Sequence, residues 1–385
     1  MTAETVDVVV VGGGAVGTSA AYHLAAAGAG SVLLLEREGT LGAGSTGRCA
    51  GGFRHQFSSR INVQLSIESI RMIRSFASDH EVPLDVDVHG YLFLVRSEAS
   101  WAEFVAGAEL QRSLGVDVRL LSADEALALV PGIETAGVIG ATFCPDDGIA
   151  DPSGLTLGYA TAARRAGARI RTGEDVRSID VVAGRATGVT TSAGTVRAGA
   201  VVNAAGPWAG VLAKTAGVRI PLDPIPRHVV VTAPFDGAPP RRTLVVDAET
   251  SFYFHREGGG MLMGMAAPEE RPSFETRVDD AFVSEQLLPT AIRVFPPLEQ
   301  AGLAHRWVGL YEMTPDRHPV IGPAPGVEGL YLANGFSGHG FQHAPVVGKL
   351  LAEMITEGGA RTVDVAPLAL ERFASGGVTR EAHVV

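Results

Sequence analysis

Cysteine is nearly absent, with Cys49 and Cys144 the two thiols in a chain of 385 residues. So few thiols give no disulfide framework and no metal-ligand spacing, so no metal centre is expected and a reducing, cytoplasmic setting is. Basic clusters are missing as well. With a net charge of -11 and no Lys/Arg run, the chain lacks the patch that nucleic acid or an anionic membrane would need as a partner. No stretch of about 18 apolar residues is available to span a bilayer. The first apolar run has acids before it, glycines inside it and no small-residue cleavage site, so it reads as a core strand and not as a signal peptide. Neither an internal repeat nor a low-complexity tract is present.

What the chain does have is apolar mass. Hydrophobic residues make up 46% of it, and its length exceeds what one simple core usually holds, so two domains are expected. Val6 to Gly17 reads VDVVVVGGGAVG, an apolar run leading into Gly12-x-Gly14-x-x-Gly17, and Glu36 closes the next apolar run, Val32 to Leu35. The spacing predicts a strand, a tight glycine turn, a helix from Ala15 to Ala27 stopped by Gly28, and a second strand ending in a carboxylate that accepts from ribose hydroxyls. Glycines suit this turn because a pyrophosphate has to lie against backbone N–H groups at a helix N-terminus, where a Cβ would hold it off. Glu36 argues for an unphosphorylated ribose, although Arg37 stands beside it.

Further along, Gly39 to Gly52 is a glycine-rich loop too long for a simple connection and is expected to be functional. Apolar spacing predicts a helix over 60–80 and a strand over 87–95. Ser122 to Glu125 forms a capping box, and Asp151-Pro152 reads as an N-cap followed by proline at the first helical position. Several β-rich runs between 225 and 266, with no helix between them, suggest a mostly antiparallel sheet. A helix is expected from about Asp279 to Val294, and a strand, glycine turn and helix over 330–355. One GxGxxG site and no second implies a single tightly held dinucleotide that the substrate itself reduces. That points to FAD.

The glycine motif with Glu36, the loop Gly44-Ser-Thr-Gly-Arg-Cys-Ala-Gly-Gly-Phe-Arg-His55, the turn Val202-Asn-Ala-Ala-Gly-Pro-Trp208, Thr314-Pro-Asp-Arg-His-Pro-Val-Ile-Gly322 and Gly335-Phe-Ser-Gly-His-Gly-Phe-Gln342 together resemble the D-amino-acid-oxidase superfamily of FAD enzymes. The likeness covers nearly the whole chain and leaves the substrate open. The C-terminal stretch is most similar to monomeric sarcosine oxidases. The Ser45 to Arg48 loop and the Ser251 to Gly264 strands are similar to D-arginine dehydrogenase, proline dehydrogenase β subunits, and the sarcosine and dimethylglycine dehydrogenases.

By this resemblance, Gly12, Gly14, Ala15, Val16, Gly17, Glu36 and Arg37 take the dinucleotide, and Ser45, Thr46, Arg48, Ala50 and Gly51 wrap the flavin. Val176 meets adenine through its backbone, with Ala205, Gly206 and Trp208 near the cofactor. Gly335, Ser337, Gly338, His339, Gly340, Phe341 and Gln342 lead into a helix carrying Pro345 in its first turn, whose N-terminal N–H groups face the pyrimidine end. A helix N-terminus there would favour the negative charge of the reduced ring. The resemblance implies hydride transfer from the carbon beside an amine nitrogen, followed by hydrolysis of the imine. Such chemistry rests on orientation and a carboxylate anchor more than on a strong base. Arg54 is the expected anchor, because its planar fork grips a carboxylate bidentately. Tyr311 aligns with an active-site tyrosine, and His55, His255 and His339 are expected to line the cavity and set its pH response.

Three departures qualify the likeness. The cysteine that attaches flavin in monomeric sarcosine oxidases corresponds to Gly309, so the FAD is expected to be noncovalent. Leu262 stands for the lysine that speeds reaction with oxygen, which opens the choice between O2 and another electron acceptor. Gln342 replaces the lysine partner of the carboxylate-binding arginine. The expected fold is α/β, a Rossmann-like FAD-binding domain from 1–85, 150–222 and 320–385 interleaved with an α+β substrate domain, its sheet mostly antiparallel, from 86–149 and 223–319. The flavin is expected between them. The expected activity is oxidation of a sarcosine-, proline- or D-amino-acid-like amine. Alternatives are the flavin subunit of a hetero-oligomeric dehydrogenase and a tailoring enzyme for a specialised metabolite, and either a homo- or a hetero-oligomer is open.

Overall fold

A computed structural model describes residues 4–375 and 379–383. The expected ranges 1–85 and 320–385 include residues 1–3, 376–378 and 384–385, which lie outside the described residues. The fold is mixed α/β, built on two eight-stranded sheets and a small three-stranded one.

In the first sheet, strand Glu4–Val11 lies between Val32–Leu35 and Thr195–Asn203, parallel to both, and the parallel set extends to Arg169–Arg171 and Leu330–Asn334. Strands Val176–Val182 and Arg185–Thr191 add on antiparallel at one side, and Val320–Pro323 pairs antiparallel with Leu330–Asn334. Strand Val32–Leu35 is buried throughout because layers cover both sheet faces, which is why it reads as a continuous apolar run and not an alternating one. Val8, Val10 and Leu34 pack with Leu24 and Leu350 of helices Ala15–Ala26 and Gly340–Glu357, whereas Val9, Val11 and Leu33 pack with Leu212 and Ile220 on the far side. The two helices touch closely at Gly348, where an added Cβ would lie 2.2 Å from Ser19 Oγ.

All but one of the strand pairs in the second sheet are antiparallel, the exception being Leu244–Asp247 beside Tyr91–Val95. One face, with Phe252, Phe254 and Met263, packs under Phe282, Leu287 and Val294. The other carries Tyr91, Val229, Leu244, Tyr253 and Leu262 with Ala50 of the glycine-rich loop packed on it. The three-stranded sheet joins Gly52–Phe53, Val86–Asp87 and Gly148–Ala150.

Some local expectations shift. The strand expected over 87–95 is two, Val86–Asp87 and Tyr91–Val95. The helix expected over 279–294 is α-helical at Asp280–Phe282, widens to a π-turn at Val283–Leu287 and returns to α at Leu288–Val294. Pro289 has no N–H to give to the carbonyl four residues earlier, which breaks the α ladder where the wider turn intervenes. Pro345 falls in the second turn of helix Gly340–Glu357, one turn later than expected.

Candidate active site

A cavity of about 800 Å³ runs from the glycine turn to the inner face of the second sheet. At the turn its wall is backbone. Gly12 has φ +110°, and an added Cβ would lie 2.2 Å from the Ala204 carbonyl oxygen; at Gly17 a Cβ would lie 1.9 Å from the Gly12 carbonyl oxygen. Neither position has room for a methyl group. Gly14 has no side chain with which to cap helix Ala15–Ala26, Thr46 Oγ1 accepts from Ala15 N at 3.2 Å, and a helix N-terminus of this kind suits an anion. The Glu36 carboxylate accepts from Gly13 N at 2.6 Å and from Glu38 N at 2.8 Å, which fixes the strand end against the turn.

The loop after Glu36 is tied to strand Leu303–Met313. Ser45 Oγ donates to the Leu310 carbonyl at 2.6 Å, Arg48 Nη1 to the Val308 carbonyl at 2.9 Å, and Trp307 Nε1 to the Arg48 carbonyl at 2.9 Å. Gly309 makes this approach feasible, since an added Cβ there would lie 3.3 Å from Arg48 Cβ. Across the cavity, Arg37 stacks on Trp208 at 4.0 Å and Phe274 covers the same indole at 5.6 Å.

The inner end is lined by side chains. Tyr91, Tyr253 and Tyr311 project into it beside Arg54, Arg227 and His339. Burial raises all three phenols above their ordinary value, so each is a neutral hydroxyl at physiological pH. Arg227 lies 4.7 Å from the Tyr311 ring centre and ion-pairs with Glu270. Glu312 also lines the cavity; one carboxylate oxygen has no hydrogen-bond partner, and burial pushes the carboxyl up to about 7 against the pull of the Gly335 and Phe336 N–H groups.

This chain matches the family described as DAO, FAD dependent oxidoreductase, over residues 7–354. It belongs to that family. FAD-dependent oxidoreductase domain-containing protein 1 of Bos taurus is 33% identical, over 98% of this chain and 87% of its own length. Mitochondrial sarcosine dehydrogenase of Homo sapiens is 31% identical over 92% of this chain, which spans 40% of that longer protein. The crystal structure of L-proline dehydrogenase from P. horikoshii has 30% sequence identity and a TM-score of 0.90, covering 98% of this chain and 100% of that one. The chain is thus an FAD-dependent oxidoreductase related to amine and amino-acid dehydrogenases. FAD fits what is present: a turn with no room for a Cβ at Gly12 or Gly17, a helix N-terminus with glycine at its N-cap, and a cavity of ligand size reaching the second sheet.

Of the residues assigned to FAD in this family member by resemblance, most line the cavity, from Gly12, Gly14, Ala15, Val16, Glu36 and Arg37 through Val176 to Gly338, Gly340, Phe341 and Gln342. Gly17, Gly335 and Ser337 stand behind that wall. Gly17 lets the helix sit on the Gly12 carbonyl. Ser337, at φ +49°, receives the Thr314 N–H on its hydroxyl and gives its own N–H to the Glu312 carbonyl, so it shapes the turn from outside.

Arg54 lines the cavity, yet its fork is already committed. Nη1 donates to the Gln56 carbonyl, Nη2 to the His383 carbonyl, and the guanidinium lies 4.0 Å over Phe57. Gln342 is likewise engaged, accepting from Arg54 N and donating to the Arg54 carbonyl, both at 3.1 Å. His55 stands outside the cavity: Asp147 accepts from its backbone N–H and lies 2.7 Å from its Nδ1, and its side chain faces a separate outer pocket with Arg71 and Arg74. His255 lies behind the wall, its Nε2 3.2 Å from the Ala50 carbonyl oxygen. His339 does line the cavity, but burial and the Arg54 charge hold its pKa far below the ordinary histidine value, so it stays neutral and cannot set a physiological pH response. Sequence reasoning missed Tyr91, Arg227, Tyr253 and Glu312. Each sits in an ordinary strand pattern, and nothing in its neighbourhood marks it as facing a cavity.

Proposed function

We propose that this enzyme oxidises the C–N bond of a small amino acid or secondary amine, of the sarcosine, proline or D-amino-acid kind, to an imine that water hydrolyses. The observation that carries the reading is the continuity of the cavity, which links a backbone cradle for a dinucleotide to a buried pocket of phenols and guanidinium groups. FAD, when bound, supplies the hydride acceptor. The chain's own residues bind and orient. Tyr91, Tyr253 and Tyr311 exclude water and offer neutral hydroxyls to a polar amine, and the buried cations favour an acidic group on the same molecule. Relatives named for sarcosine and proline oxidation support the substrate class.

We further propose that the FAD is noncovalent. Gly309 offers no thiol, and burial pushes the Cys49 thiol up to about 11, which keeps it protonated at physiological pH. The test is anaerobic bleaching of the purified protein's flavin absorbance by sarcosine, dimethylglycine, L-proline, glycine and D-amino acids, followed by air. Bleaching by at least one amine is expected, and the rate of recovery in air separates oxidase from dehydrogenase. A bound flavin that none of the amines reduces would sink the reading.

A further inference from the structure

We propose that Arg227, and not Arg54, receives the carboxylate of the substrate. This rests on the amine-oxidation reading and narrows its substrates to amines that carry an acid group. Arg227 lies in strand Asp223–Thr232 opposite Gly309, with Tyr311 two positions along the paired strand. It lines the cavity and is 5% exposed. A buried guanidinium is expected to use its N–H groups fully, since an unmet donor keeps its whole desolvation cost. Here it does not: Nε has no hydrogen-bond partner, and Nη1 reaches the Pro226 carbonyl at 3.4 Å.

Nη2 donates to Glu270, in the segment 266–279 that also carries Phe274 across the cavity. Nε and Nη2 form the edge that a planar guanidinium presents to a carboxylate through two parallel bonds. Glu270 holds that edge from a partly exposed position, with 30% of its side chain accessible, and leaves the buried Nε unpaired. A substrate carboxylate arriving through the cavity satisfies Nε and competes with Glu270 for Nη2. Arg54 has no comparable vacancy, because carbonyls of Gln56 and His383 occupy its fork.

The experiment uses the holoenzyme and two non-oxidisable probes, tetrahydrofuran-2-carboxylate and its neutral twin tetrahydrofurfuryl alcohol, titrated by the change in the flavin's visible spectrum. Arg227→Gln is expected to weaken the carboxylate about 10- to 100-fold and leave the alcohol unchanged. Glu270→Gln, on the more exposed side, is expected to tighten the carboxylate severalfold and not the alcohol. It decides the matter alone if Arg227→Gln does not fold. Wild-type carboxylate preference retained in Arg227→Gln, or unchanged or weaker carboxylate binding in Glu270→Gln, overturns the assignment. If amines bleach the wild-type flavin while either of those results holds, only the Arg227 assignment falls. A wild-type flavin that neither bleaches nor responds to the carboxylate overturns the amine-oxidation reading and Arg227 with it.

Discussion

At the glycine turn the cavity wall is backbone supplied by a short stretch of chain, whereas at the inner end it is side chains brought in on four strands, Tyr91–Val95, Asp223–Thr232, Phe252–Glu257 and Leu303–Met313. The two ends should tolerate change differently. Backbone contacts leave no slack, because a methyl group at Gly12 or Gly17 meets a carbonyl oxygen at covalent-like range. Side-chain contacts can be trimmed while the sheet beneath them stays paired. On the proposed reading, the first end governs whether the dinucleotide is held and the second which substrate is taken.

The largest expected effect tests that division directly. Gly17→Ala places a Cβ 1.9 Å from the Gly12 carbonyl oxygen, so the turn must open, and the purified variant should carry less than about a tenth of the wild-type flavin per chain. Tyr311→Phe should keep its flavin and lose roughly tenfold in kcat/KM, the worth of one hydrogen bond in a buried site. Flavin stoichiometry measured after denaturation, beside steady-state kinetics, decides both. A yellow Gly17→Ala protein, or a colourless Tyr311→Phe protein, breaks the comparison.

The same contrast explains what was legible in the sequence. The cradle could be read because its geometry is local: a strand, three glycines and Glu36 lie close along the chain, and helix Ala15–Ala26 follows from that spacing. Helices Arg60–His80 and Pro152–Arg165 were legible for the same reason, through apolar period and an Asp-Pro start. Arg227 was not, because its place on the cavity wall depends on pairing with Gly309, 82 residues away, and on facing Tyr311. Arg54 was found on the cavity wall, but the carbonyls that meet its fork were not. Nothing near it in the chain announces that His383 returns to occupy its fork. The Thr314 to Gly322 motif likewise has a structural component, since Asp316 ion-pairs with Arg372 at 2.8 Å in a buried site.

That returning tail gives an intermediate test, on a region belonging to neither end. Glu381 is fully buried, and its carboxylate accepts from the backbone N–H and hydroxyl groups of Ser58 and Ser59 and from Asn62 Nδ2, at the start of helix Arg60–His80. Burial opposes its charge, but His383 and these donors outweigh it and hold the carboxyl well below the usual range. A depressed folded pKa contributes stability that is complete above the unfolded value of 4.5 and is lost as pH falls below it. Glu381→Gln should cost about 2–3 kcal/mol at pH 7 and less at pH 4, read from denaturant melts. Because His383 follows closely, the variant should also loosen Arg54, while Gly12 and Gly17 keep the flavin in place. An equal loss at both pH values would remove the carboxylate's charge from the account.

The smallest effect sits where the two ends meet. Glu312 belongs to the strand of Tyr311, yet it reaches back to the turn before helix Gly340–Glu357, with Oε1 3.4 Å from Phe336 N. Its folded carboxyl, raised by burial to about 7 from 4.5, makes ionisation costly in the folded protein. Below 4.5 both folded and unfolded chains carry the proton and nothing is lost; between 4.5 and about 7 the penalty grows; above about 7 it is complete. Glu312→Gln stays neutral throughout, so relative to wild type it should gain on the order of 1–3 kcal/mol as pH rises across that window. Melts of the two apoproteins from pH 4 to pH 8.5 measure this difference, and a gap that does not change with pH would show that Glu312 ionises as freely in the fold as in water. If the gap appears in the apoprotein and vanishes once FAD is bound, the carboxyl answers to the cofactor end of the cavity. If it persists, Glu312 belongs with the tyrosines and the arginine at the inner end.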